Sequence, residues 1–120
     1  MKRLIVVTTV LALALCAVAW AKVSIKVTPS SVTAGSTVKV SGSAGSGCGH
    51  GARVTLISKA FSNKHNFAGV PAIYAATHRR GAFSTTTTIP KKRKPGTYTV
   101  TGRCGGGNLG VIATLKVLHP

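Results

Sequence analysis

Beyond residue 22, apolar side chains recur at alternate positions, and no stretch holds helical spacing over three turns. Val23, Ile25 and Val27 alternate with Ser24, Lys26 and Thr28; Val38 and Val40 alternate with Thr37, Lys39 and Ser41; Val54 and Leu56 alternate with Arg53, Thr55 and Ile57. Residues 67–77 are apolar but contain Gly69 and Pro71, which suits an irregular or edge strand. Phe83, Thr85, Thr87 and Ile89 share one face of the next run, and Tyr98, Val100 and Gly102 share one face of another that ends at Cys104. Val111, Ala113, Leu115 and Val117 form the last. Turn residues separate the runs: Pro29-Ser30-Ser31, Ala34-Gly35-Ser36, a glycine- and serine-rich segment over 42–51, a polar loop over 62–66, His78-Arg79-Arg80-Gly81, a basic loop over 90–96, and Gly105-Gly106-Gly107-Asn108.

Seven strands at regular spacing in about 100 residues predict an all-β chain folded as an immunoglobulin-like, seven-stranded antiparallel β-sandwich. In such a sandwich the connections after the second and sixth strands lie at one end, and the connection after the fifth lies at the other. Cys48 and Cys104 then fall at the same end.

The first 21 residues read differently. Lys2 and Arg3 precede an almost unbroken apolar run from Leu4 to Ala19, and Ala19-Trp20-Ala21 is a small-x-small cleavage site. That is the pattern of a secretory signal peptide over 1–21, short for a membrane span. It leaves one domain over 22–120 with no transmembrane segment, expected outside the cell or at its surface. Cleavage removes Cys16 and leaves Cys48 and Cys104, an even pair that in an exported chain is read as a disulfide.

Charge then narrows the chemistry. The chain holds 16 lysines and arginines and no aspartate or glutamate, a formal charge of +16 that falls to +14 without Lys2 and Arg3. Without carboxylates there is no acid–base pair of the usual kind, no Asp to orient a catalytic His, and no all-protein Ca²⁺ or Mg²⁺ cage. No enzyme activity, catalytic residue, cofactor or metal is expected. Cys48-Gly49-His50, with His65 or His78, lacks the paired spacing of zinc sites, and a disulfide would consume both thiolates.

Several segments carry a family resemblance. Val27-Thr28-Pro29-Ser30, Ala34-Gly35-Ser36-Thr37-Val38, Val40-Ser41-Gly42, Gly81-Ala82-Phe83-Ser84 and Pro95-Gly96-Thr97-Tyr98-Thr99-Val100 together resemble the small exported bacterial Ig-like domain proteins common in actinobacteria. The likeness spans nearly all of 22–120. It implies the sandwich and a location outside the membrane, and very little about a ligand. A second resemblance, to the antitumour-antibiotic apoproteins related to neocarzinostatin, rests on the exported seven-stranded plan and a similar V-T-P opening. It implies a small-molecule carrier and ranks second. Those proteins have two disulfides and an acidic balance, where this chain has a single cysteine pair and no acid.

The binding candidates are basic. Pro90-Lys91-Lys92-Arg93-Lys94 is the densest run, and Lys91, Lys92, Arg93 and Lys94 are the expected contacts for anionic cell-wall polymers or other polyanions. Arg79 and Arg80, with Lys59, Lys64 and His65 nearby in sequence, form a second basic candidate. Aromatic residues are too few for a base-stacking surface, so specific nucleic-acid recognition is not expected. Tyr98 is expected to pack its ring in the core and bond its hydroxyl to nearby backbone, as in a tyrosine corner. The sequence thus predicts a secreted, non-enzymatic interaction or structural module that meets polyanions through basic loops. The alternatives are a small-molecule carrier and a structural module with no specific ligand. No LPxTG-type motif follows the last strand, so attachment to a cell is expected to be non-covalent and electrostatic.

Overall fold

Period-two alternation becomes two sheets facing each other across a core of valines and a few larger side chains. The computed structural model describes residues 22–49, 51–105 and 107–120; the signal segment read over 1–21 lies outside them. Among these residues nine strands form: β1 (Ser24–Thr28), β2 (Ser31–Thr33), β3 (Thr37–Ser43), β4 (Arg53–Ile57), β5 (His65–Phe67), β6 (Val70–Ala76), β7 (Ala82–Thr88), β8 (Gly96–Cys104) and β9 (Gly107–Leu118). The small sheet has the order β1-β3-β7 and the large one β2-β9-β8-β4-β6-β5. Among the described residues there is no α-helix, only one-turn 3-10 segments at Ser46–Cys48 and Arg79–Gly81. No helix among them is long and apolar enough to cross a membrane.

The all-β sandwich is as the alternation predicts, but its strands number nine rather than seven, and the pairing is not wholly antiparallel. Both extra strands are three residues long, too short to show a period. In β2, Val32 is buried and pairs in parallel with Val117, so the chain leaves the small sheet after β1 and joins the edge of the large one. In β5, the segment expected to be polar loop pairs antiparallel with β6, His65 opposite Ala72 and Phe67 opposite Val70. The two-residue connection, Ala68 and Gly69, has positive φ at both positions (52° and 86°), the requirement of a tight hairpin turn that follows the strand twist. The glycine-rich loop after β8 is also shorter than expected, because Gly107 pairs with Cys104 and Asn108 with Arg103 at the start of β9.

The core takes the inward residues of each alternation. Val27, Val38, Val40 and Phe83 come from the small sheet, and Val54, Leu56, Val100, Leu115 and Val117 from the large one. Ala60, Phe61 and Ile89 complete it from the connections, all three fully buried. Phe61 is the largest of the fully buried side chains. At one end, Gly81 (φ 75°) packs so close to the Gly45 backbone that a Cβ there would stand 2.4 Å from the Gly45 carbonyl oxygen. That contact joins the β6–β7 connection to the β3–β4 connection, where Ala44 N–H also donates to Gly81 O at 2.8 Å.

The disulfide closes this same end. Cys48 ends a 3-10 turn between β3 and β4, Cys104 ends β8, and their Cα atoms are 5.8 Å apart. Cys48 packs against the edge of the core and Cys104 is paired within the large sheet, so the bridge ties the glycine-rich β3–β4 connection to β8.

Candidate anion-binding surfaces

The six basic residues singled out from the sequence separate into two groups at opposite ends of the sandwich. Arg79 and Arg80 are exposed on the 3-10 turn that leads into β7, beside the disulfide. Ser43 Oγ donates to Arg80 O at 2.9 Å, which helps fix this turn although Arg80 itself has a φ of 58°. Lys91, Lys92 and Lys94 are exposed on the connection between β7 and β8. The seven residues of β7 keep the groups about 20 Å apart at the usual rise per strand residue. Lys59 and Lys64, which the sequence grouped with Arg79 and Arg80 only as neighbours along the chain, lie on the connection between β4 and β5. Lys64 lines the same cleft as Thr37 and Thr88, and the segment after Lys59 is held by Arg93.

Arg93 does not point outward with its neighbours. It is half-buried, and its guanidinium donates from Nη2 to Phe61 O at 2.7 Å and from Nε to Ala60 O at 3.3 Å. The residue in the middle of the charge run is therefore a clamp on the main chain that carries Phe61 into the core. The geometry offers the three lysines, not Arg93, for contact. Replacing Arg93 by Ala is expected to cost about 2 kcal/mol, because a charged donor is lost and two carbonyls lose their partner. Lys91→Ala, Lys92→Ala and Lys94→Ala should each stay within about 0.5 kcal/mol of wild type. Urea denaturation of the four variants makes the comparison; equal, small effects for all four would remove the clamp.

Tyr98 behaves as its place after Pro95-Gly96 suggests. Its ring packs against the core and its hydroxyl donates to Lys94 O at 2.5 Å, tying the end of the basic loop to β8.

A surface that sequence reasoning missed lies on the outer face of the large sheet. The register puts Arg53 opposite Ala76, Thr55 opposite both Tyr74 and Arg103, and His65 opposite Ala72. Arg53 Cζ sits 4.1 Å from the centroid of the Tyr74 ring, and the His65 ring is 4.8 Å from Tyr74 at a tilt of 36°. Arg103 Cζ sits 4.9 Å from the Phe67 ring. With no carboxylate in the chain, these guanidinium groups rest on ring faces, where the ring quadrupole attracts them without cancelling their charge. Only the β4–β6 pairing reveals the grouping, since Arg53 and Tyr74 are far apart in sequence.

The two sheet edges on the β7 side leave a cleft of about 560 Å³ between them, within the usual size range of small-molecule sites. Thr85 and Thr87 line it from β7, Ile73 and Tyr74 from β6, and Lys64 and His65 from β5 and the residue before it. Its polar lining is hydroxyl and basic nitrogen. The cysteines contribute nothing to a metal centre, since both are in the disulfide; His50 lies outside the described residues.

No protein-family model matches the chain, and no curated protein matches it in sequence. Solved structures give distant likenesses. A chain of the Pseudomonas fluorescens alkylpurine DNA glycosylase AlkC, bound to DNA containing an abasic site analogue, is 20% identical with a TM-score of 0.45. The match covers 81% of this chain but only 30% of the glycosylase. An uncharacterized protein from Bacillus anthracis is 19% identical over 74% of this chain and 76% of its own, with a TM-score of 0.42. WR4, a C.elegans MSP family member, is 12% identical over 80% of this chain and 97% of its own, with a TM-score of 0.39. Likenesses at these values carry no functional information.

Proposed function

We propose that this chain is an exported, non-enzymatic Ig-like module that adheres to anionic polymers, those of a cell wall foremost, through exposed basic side chains. One observation carries the reading: Lys91, Lys92 and Lys94 at one end, and Arg79 and Arg80 at the other, stand exposed in a chain with no acidic side chain to neutralise them. Their field attracts polyanions and falls with added salt. The disulfide supports an oxidising compartment and hence export. The kinship with small actinobacterial Ig-like proteins belongs to the same reading and rests on the sequence segments quoted above.

Retention of the purified protein on cell wall, duplex DNA and neutral dextran across a salt series tests it. Strong retention on both polyanions at low salt, none on dextran, and earlier elution of a Lys91→Gln, Lys92→Gln, Lys94→Gln variant are expected. Counterion release puts the loss of salt dependence near one unit of slope per contact removed. No retention on any polyanion at low salt would overturn the proposal and favour a structural module without a ligand. The carrier reading ranks second because the chain lacks the two disulfides and acidic balance of that family; the cleft beside β7, where threonine hydroxyls, Lys64 and His65 meet Ala72 and Ile73, is the feature that supports it.

A further inference from the structure

We infer that the cleft between β7 and the β5–β6 hairpin is a binding site for an anionic sugar: a segment of polysaccharide carrying carboxylate, phosphate or sulfate groups. The inference rests on the polyanion reading and names the polymer chemistry that one site would select.

The strand order leaves β7 at the free edge of the small sheet and β5–β6 at the facing edge of the large one. The cleft is thus a permanent feature of the sandwich, built on strands. Thr85 and Thr87 are half-buried along one wall, one strand repeat apart, and among the described residues neither hydroxyl has a protein hydrogen bond. Thr37 and Thr88 bond each other through their hydroxyls at 3.0 Å and close one end. Each hydroxyl both donates and accepts, which matches the alternating needs of sugar hydroxyls. Lys64 and His65 supply cationic and imidazole nitrogen at the opposite wall, and Ala72 and Ile73 add apolar surface for the less polar face of a sugar ring.

Charge selects among polar ligands. A cationic or neutral amine would find no carboxylate here, while a carboxylate, phosphate or sulfate would meet Lys64. Stacked nucleobases fit less well, because a base needs an open aromatic face. Arg53 covers one face of Tyr74 and His65 leans on the same ring. The geometry therefore favours a hydroxyl-rich anion over single-stranded nucleic acid.

Equilibrium binding to polygalacturonate, dextran sulfate, neutral dextran and poly(dT), at low and high salt, tests the inference. Wild type is expected to keep a saturable component at high salt for at least one of the two anionic glycans, and none for poly(dT) or dextran. Thr85→Val with Thr87→Val keeps strand-favouring side chains of the same shape and removes only the hydroxyls. It should weaken that component roughly tenfold, the loss of one or two hydrogen bonds to an anionic ligand. Lys64→Gln, at an exposed position that leaves the fold intact, should weaken it by a similar factor. Low-salt retention on DNA should persist in the threonine variant, which separates the cleft from general adhesion. Binding that vanishes at high salt for every polymer, or that survives at high salt for poly(dT) as well, overturns the sugar site while leaving polyanion adhesion standing. So does unchanged glycan binding by both variants. Loss of low-salt retention on every polyanion removes the parent proposal instead.

Discussion

Removing the Cys48–Cys104 bridge is expected to cost this sandwich about 4 kcal/mol, from the entropy of closing a loop of this length in the unfolded chain. The two cysteines are 56 residues apart in sequence, so the bridge closes a loop of nearly half the chain. For a domain of this size that is a large share of the whole stability. The segments it joins are rich in glycine, and Gly45, Gly49, Gly51 and Gly105 all adopt positive φ near the bridge; buried Thr77 also holds this end, donating to Gly49 O and Ala52 O. Like charges add to the demand, because no carboxylate offsets the lysines and arginines that folding brings together. The Cys48→Ser, Cys104→Ser double variant, compared with wild type by urea denaturation at fixed ionic strength, measures the loss. A difference below about 1 kcal/mol would mean that the native packing of these loops, not the covalent link, holds this end closed.

Phe61→Ala is the second large effect, expected at about 3–5 kcal/mol. Phe61 is fully buried although it lies on the connection between β4 and β5, and Ala60 beside it is equally buried. Ser58 organises the turn that delivers them: its N–H donates to Pro71 O at 3.1 Å, its hydroxyl accepts from Ala60 N–H at 3.1 Å, and its carbonyl accepts from Phe61 N–H at 3.2 Å. Surrounding valines cannot collapse into a void left by the ring without breaking sheet register, so most of the cavity cost should be felt. Thermal and urea unfolding of Phe61→Ala and Phe61→Leu give the check. Leu refills much of the volume and should recover most of the loss. Equal behaviour of Phe61→Ala and wild type would mean that the ring is not a core residue in solution.

Phe61 also marks the limit of what alternation reveals. Val38, Val40, Val54, Leu56, Val100, Leu115 and Val117 were legible because each sits at alternate positions in a strand long enough to show the period. The cysteine pair was legible because reading 1–21 as a signal segment sets Cys16 aside, and the two that remain have one common use in an exported chain. An isolated aromatic inside Lys59-Ala60-Phe61-Ser62 has no period, and only tertiary packing decides whether it goes in or out. Arg93 was misread for a related reason. Its acceptors are the Ala60 and Phe61 carbonyls, which every residue carries, so nothing in the letters distinguishes it from Lys92 or Lys94. The Arg53–Tyr74–His65 group and the cleft depend on β6 lying beside β4 and on β5 existing at all. Both facts were hidden by an apolar run broken at Gly69 and Pro71.

The inward turn of Arg93 has a consequence for how the lysine loop meets a partner. Arg93 is bonded to the Phe61 segment and the Lys94 carbonyl accepts from Tyr98, so the loop backbone is tied down at two points. On the adhesion proposed above, a polymer arriving at Lys91, Lys92 and Lys94 would need to immobilise mainly side chains, since the backbone beneath them is already tied at Arg93 and Lys94. Preorganisation of this kind lets a few weak charge contacts add up to measurable adhesion, where a slack basic tail of the same composition would spend much of that free energy on becoming ordered.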